Sequence, residues 1–66
     1  MTEIPKKDLH KYIGKEIVLK EGTKESNVIF TEYSGWLKGF NITDHSFIEV
    51  LMTGKESENG VKYFIK

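Results

Sequence analysis

The sequence predicts a mainly β protein: a small, strongly bent antiparallel barrel with a short helix at its N-terminal end. Three observations predict it. Residues 35–41, Gly35-Trp36-Leu37-Lys38-Gly39-Phe40-Asn41, carry two glycines four apart, and glycine inside a strand pattern marks a bend or a bulge. A short polar loop and the apolar run 47–52 follow at once. Polar, Gly-containing segments at 21–27 and 54–60 separate the remaining apolar runs, as in a meander of short strands.

The elements follow in order. Pro5 suits the first position of a helix, where its missing N–H is not needed. Leu9, Tyr12 and Ile13 then share one face and Gly14 stands as a C-terminal stop, so residues 5–13 are expected to be helical. Lys6, Lys7 and Lys11 fall on the outer side. Residues 16–20 read as a strand with Ile17 and Leu19 on one face and Val18 on the other. Residues 21–27 read as a polar turn, and Val28, Ile29 and Phe30 open a further strand. Residues 29–40 fit two patterns. Ile29, Tyr33, Trp36, Leu37 and Phe40 match a helical stripe, whereas Val28, Thr31, Ser34, Gly35 and Gly39 disfavour a helix. Strand is the stronger reading, with a bulge or bend near Ser34-Gly35. Whether residues 23–34 form a strand, a helix or an inserted loop stays open at this level.

Residues 41–46 read as a turn. Residues 47–53 form a strand with apolar side chains on both faces, which predicts a central or doubly covered strand. Residues 54–60 form a polar hairpin loop, in which Asn59-Gly60 suits a type I′ turn. Val61, Tyr63 and Ile65 alternate with Lys62 and Lys66 in a final half-exposed strand.

Sixty-six residues make one domain, 1–66. A chain this short buries a modest fraction of its surface, and without Cys neither a disulfide nor a thiolate metal site adds to its stability. Association with another chain would supply burial. Ten Lys balance ten Asp and Glu, and Arg is absent. Zero net charge argues against strong non-specific nucleic-acid binding, and the lack of Arg removes the best bidentate phosphate and guanine reader. The N-terminal residues lack the apolar core of a signal peptide, and no apolar run approaches the roughly 18 residues of a membrane span. A cytoplasmic protein is expected. The lack of Ala, Gln and Arg beside many Lys, Ile and Asn looks like AT-rich coding, and points to a low-GC bacterium or its phage.

Within that frame, Trp36-Leu37-Lys38-Gly39-Phe40-Asn41 resembles the first signature of the Sm-like family, which includes Hfq, with Asn41 in place of its usual Asp. Residues 13–18, Ile13-Gly14-Lys15-Glu16-Ile17-Val18, resemble that family's entry into strand one, and residues 61–66 its strand four. A generic SH3-like barrel shares much of this pattern. The resemblance implies a small barrel that assembles into rings by strand pairing and holds single-stranded RNA in the pore, with bases stacked on loop side chains. It places Asn41 and His45 as loop contacts and Lys66 as the basic group. The chain departs from the pattern in two places: twelve residues separate Gly22 from Gly35, where the family has a tight turn, and the second, basic signature with its fifth strand is missing.

Candidate binding residues are Trp36, Phe30, Tyr33, Phe40, Asn41, His45 and Lys66. For Trp36, core packing is the leading reading, since a small domain needs its large side chains inside; a half-exposed stacking platform or protein hot spot is the other. Tyr33 and Phe30 carry the same two readings. If Gly35 and Leu37 face inward, alternation sets Phe30, Trp36 and Phe40 on the opposite face. Both faces of such a strand cannot be buried in so short a chain unless the sheet curls or another subunit covers one. For His45 a solvated loop histidine is the leading reading, and for the lysines a solvated face. His10 reads as a surface or capping residue. His10, His45, Asp8 and Asp44 lack metal-ligand spacing, Asn41-Ile42-Thr43 is an incidental sequon, and no nucleophile–base pair or converging carboxylates appear. The expectation is a non-catalytic binding module without cofactor, engaging a protein partner or itself through an aromatic sheet face. The alternative is an Sm-like oligomer that binds single-stranded RNA.

Overall fold

A computed structural model describes residues 1–52 and 60–66. It shows a mainly β protein with one short helix and one six-stranded antiparallel sheet, β1 Thr2–Ile4, β2 Glu16–Glu21, β3 Lys24–Ser34, β4 Trp36–Asn41, β5 Ser46–Leu51 and β6 Val61–Ile65, in the order β1-β6-β2-β3-β4-β5. The sheet is open: among the described residues β5 pairs only with β4, and β1 only with β6. The hairpin loop expected at 54–60 and the end of the strand expected at Thr53 lie outside the described residues, apart from Gly60.

The helix spans Lys6–Tyr12 and is of the 3-10 type. Its three-residue turn aligns side chains at i and i+3. Leu9 is therefore fully buried and Tyr12 half-buried, while Ile13, expected on the same face, is exposed. Asp8 N–H donates to the Pro5 carbonyl at 2.8 Å, so Pro5 caps the helix. Gly14, with φ 84°, ends it, and its N–H donates to the Phe30 carbonyl at 2.8 Å.

β2 and β3 form a hairpin closed by Gly22-Thr23, with Glu21 opposite Lys24. Gly22 has φ 62°, which favours glycine. Only two residues of the polar stretch 21–27 therefore turn; Lys24 to Asn27 extend the ladder, with Glu25 near Lys20 at 3.6 Å and Ser26 opposite Leu19. Residues 23–34 are thus neither helix nor loop insertion but almost entirely strand. Gly35, with φ 75°, reverses the chain into β4, and Ser34 faces Trp36. The bulge expected near Ser34 lies instead at Thr31, between Phe30 and Glu32.

The main core cluster lies on one face of the sheet, where Leu9 of the helix joins Ile4, Ile17, Leu19, Val28, Phe30, Leu37 and Tyr63, with Ile48 and Val50 packed at its margin. Val18, on the other face of β2, is also fully buried. β1 was not foreseen: one buried residue, Ile4, fixes it opposite Tyr63 of β6, and a three-residue strand leaves no periodic signal in sequence. β5 corrects a further expectation. It is an edge strand, not a central one, and its second apolar face is uncovered.

A candidate binding face on the β4–β5 hairpin

Cross-strand register sets the outer face of this hairpin in three rows: Phe40 opposite Phe47, Lys38 opposite Glu49, and Trp36 opposite Leu51. Side chains directly opposite on one face are nearest neighbours. The Phe40 and Phe47 rings meet edge to face, with centroids 5.8 Å apart and planes at 80°, the arrangement that ring quadrupoles favour. Phe47 is 88% exposed, Trp36 44% and Leu51 43%. On β3 the rows continue with Ile29 beside Phe40 and Glu32 beside Lys38. An open depression of about 190 Å³ at the sheet margin is lined by Lys38, Gly39, Phe47, Ile48 and Glu49.

Gly39 explains how β4 fits there. A Cβ on Gly39 would lie 2.6 Å from the Phe30 Cα and press on the Ile29 carbonyl. Glycine is needed for this close approach of two backbones next to the bulge, not for a positive φ.

The structure separates the residues singled out from sequence. Trp36 and Phe40 share the outer face. Phe30 does not: it is fully buried in the core, because the bulge at Thr31 shifts the register between Glu32 and Phe30 and so flips the alternation that holds from Ser34–Trp36 to Glu32–Lys38. Phe30 faces Gly39 and belongs to the core side, so it is inaccessible to a partner. Tyr33 stands opposite Leu37 at the other face's margin and stacks on His10, centroids 5.4 Å apart. Trp36 is not packed in the core, contrary to its leading reading.

Asn41 is 6% exposed and organises the β4–β5 turn. Its Oδ1 accepts from the Asp44 N–H at 2.9 Å, and its Nδ2 donates to Asp44 Oδ2 at 3.4 Å. Lys24 Nζ donates to the same Asp44 oxygen at 2.7 Å, and this bond holds the lysine above its ordinary pKa. Thr43 Oγ1 accepts from the Asn27 N–H, and the Asn27 carbonyl accepts from the Ile42 N–H, each at 2.8 Å. The turn is therefore tied to the β2–β3 hairpin. His45 follows in the left-handed region at φ 56°, exposed. Lys66 follows β6, which β2 and β3 separate from β4 in the sheet.

Phe47 and Leu51 were missed as surface residues because the run 47–52 reads as apolar throughout. The signal was Glu49: a charge at the middle of the run shares its face with Phe47 and Leu51. Among the described residues no group of three His, Cys, Asp or Glu side chains could hold a metal ion, and no helix is long and apolar enough to cross a membrane.

Comparison with family models, with curated proteins and with solved structures finds no match to this chain.

Proposed function

We propose that the protein is a non-catalytic binding module whose outer β4–β5 face docks another protein, in a regulatory role in the cytoplasm of a bacterium or during phage infection. In this reading the curled sheet is an open variant of the small SH3-like or Sm-like barrel. One observation carries it: Phe47, almost fully exposed, stands on Phe40 beside the exposed pair Trp36 and Leu51. Exposed aromatic residues with an apolar neighbour are the composition of a protein interface core.

The alternative, an Sm-like oligomer on single-stranded RNA, draws support from the same exposed rings, which are stacking platforms. Three features weigh against it. The row between the aromatics runs Glu32, Lys38, Glu49 and is net negative, whereas RNA binding relies on a basic track. Asn41 commits its side chain to Asp44. Both edges of β6 are occupied, by β2 and by β1, so a ring built on the last strand would have to displace β1.

The experiment is comparative capture from a low-GC bacterial lysate with the parent protein, Trp36→Lys and Phe47→Lys, followed by titration of the captured protein against Trp36 fluorescence. The expected result is a partner that binds the parent, shifts Trp36 emission to the blue and is lost with either variant. Capture insensitive to both variants overturns the reading. Binding of a short oligouridylate that weakens steeply with salt would replace it with the RNA reading.

A further inference from the structure

We propose that two copies of this chain form a twofold dimer by antiparallel pairing of their β5 edges, with Glu49 on the axis. The inference rests on the reading of the β4–β5 hairpin as a contact surface and adds one occupant of it, a second copy.

The backbone phase of β5 comes first. Met52 N–H donates to the Gly35 carbonyl at 3.3 Å, one step beyond the Trp36–Leu51 pair. Hydrogen-bonding groups alternate sides along a strand, so Ser46, Ile48 and Val50 turn theirs to β4. Phe47, Glu49 and Leu51 turn theirs to the free edge. Among the described residues this edge is unpaired, and an edge of this kind is a template for another strand. The opposite edge of the sheet, β1, is three residues long and offers half the ladder.

The side chains then select the register. In a twofold antiparallel pair, residues directly opposite share a face, so the axis passes through a residue. With the axis at Glu49, Phe47 faces Leu51 of the second copy on the outer side and Ile48 faces Val50 of the second copy on the core side; symmetry repeats both. The strand is close to palindromic about Glu49 in this sense, with apolar opposite apolar on both faces. An axis at Ile48 sets Phe47 against Glu49 and Leu51 against His45. An axis at Phe47 pairs Glu49 with His45, which lies in the turn at φ 56° and cannot continue the ladder. Self-complementarity in one register and mismatch in these neighbours is why the occupant is a second copy.

The row through the axis carries a cost. It runs Glu32, Lys38, Glu49 in each copy, so the two Glu49 carboxylates face one another, each with a Lys38 behind it. Like charges directly opposite weaken a strand pair. Glu49 therefore holds the dimer to a weak, concentration-dependent equilibrium.

The parent and two variants test this by sedimentation equilibrium up to about 1 mM protein, within reach of weak association. The parent is expected to pass from monomer to dimer across the range. Glu49→Gln should tighten the dimer by up to about fivefold. Glu49→Pro, which deletes an N–H aimed only at the free edge, should remain folded by circular dichroism and be monomeric. Register is read by cross-linking, because the chain has no native Cys. Glu49→Cys brings two thiols to a Cα separation of about 5.5 Å on the axis, within disulfide range, and should oxidise rapidly to a covalent dimer, whereas Ser46→Cys should not. A parent that stays monomeric throughout, or equal cross-linking of the two Cys variants, overturns the proposal. If the parent is monomeric but Phe47→Lys still abolishes partner capture, the dimer alone fails and the binding-module reading stands.

Discussion

Phe40 and Phe47 meet edge to face across β4 and β5, their centroids 5.8 Å apart, on the side of the sheet turned away from Leu9 and the core. One ring is half-buried and the other almost wholly in solvent. Folding gains little from Phe47, so its removal should be felt in binding and not in stability. Phe47→Ala is expected to cost at most about 1 kcal/mol, the worth of one aromatic pair. Urea unfolding at unchanged slope measures it.

Phe30 supplies the contrast. It has no exposed surface and packs among Leu9, Val28 and Leu37. Phe30→Ala should cost about 3–5 kcal/mol through lost burial and the cavity left behind. A chain of this size has a total stability of about 3–10 kcal/mol, so the variant is expected to be largely unfolded at 37 °C by circular dichroism. A folded Phe30→Ala would show that the ring is less central than its burial implies.

The two glycines flanking β4 residues 36–38 should behave differently although they are four residues apart. Gly35 has φ 75°, and a Cβ added there would meet nothing within 4 Å. Gly35→Ala therefore meets only the backbone cost, about 1–2 kcal/mol. At Gly39 a Cβ meets the backbone of Ile29 and Phe30, and two paired strands would have to part. Gly39→Ala should be the more damaging, by about 3 kcal/mol. Thermal midpoints of the two variants decide the order.

Asn41→Ala should loosen the β4–β5 turn without touching the outer rings. It leaves the Asp44 N–H without its 2.9 Å acceptor and opens a buried site, at a cost of about 1–3 kcal/mol. Amide exchange of Asp44 and of Asn27, whose N–H reaches Thr43 in the same turn, should rise together.

Stability should fall at alkaline pH through Tyr63. Burial first, and the Glu21 carboxylate second, raise its pKa above the ordinary 10.0. The neutral phenol is therefore favoured by the fold. Below pH 10 both folded and unfolded chains hold this proton and its contribution is intact. As pH rises past 10 the unfolded chain loses the proton first, so the native state is progressively disfavoured until its own raised pKa is passed. Tyr63→Phe should flatten the alkaline limb of a stability–pH profile, and an unchanged limb would assign it to other groups.

How much was legible in the sequence can be argued from particular residues. Leu9, Ile17, Leu19 and Val28 advertise the core by their spacing, and all four are buried. Pro5 and Gly14 bracket the helix because each restricts or relaxes φ by its own chemistry. Trp36, Phe30 and Phe47 were another matter. Period two assigns residues of one strand to two faces but says neither which face is wet nor where a bulge will flip the assignment. Gly35 reversed the chain where a bend was expected, and the bulge at Thr31 flipped the alternation and put Phe30 inside.

By itself, the sequence determined that this is a small β protein with a short N-terminal helix, with strands read at 16–20, from 28 to 40 with a bend near Ser34-Gly35, at 47–53 and from 61. Those features follow from local chemistry: alternation, turn residues and backbone freedom. The tertiary structure decided that β5 is an edge, that β1 closes onto β6, that the bulge falls at Thr31 and that Phe47 and Trp36 face solvent. These depend on which strands become neighbours, a property of the sheet as a whole that no local window contains.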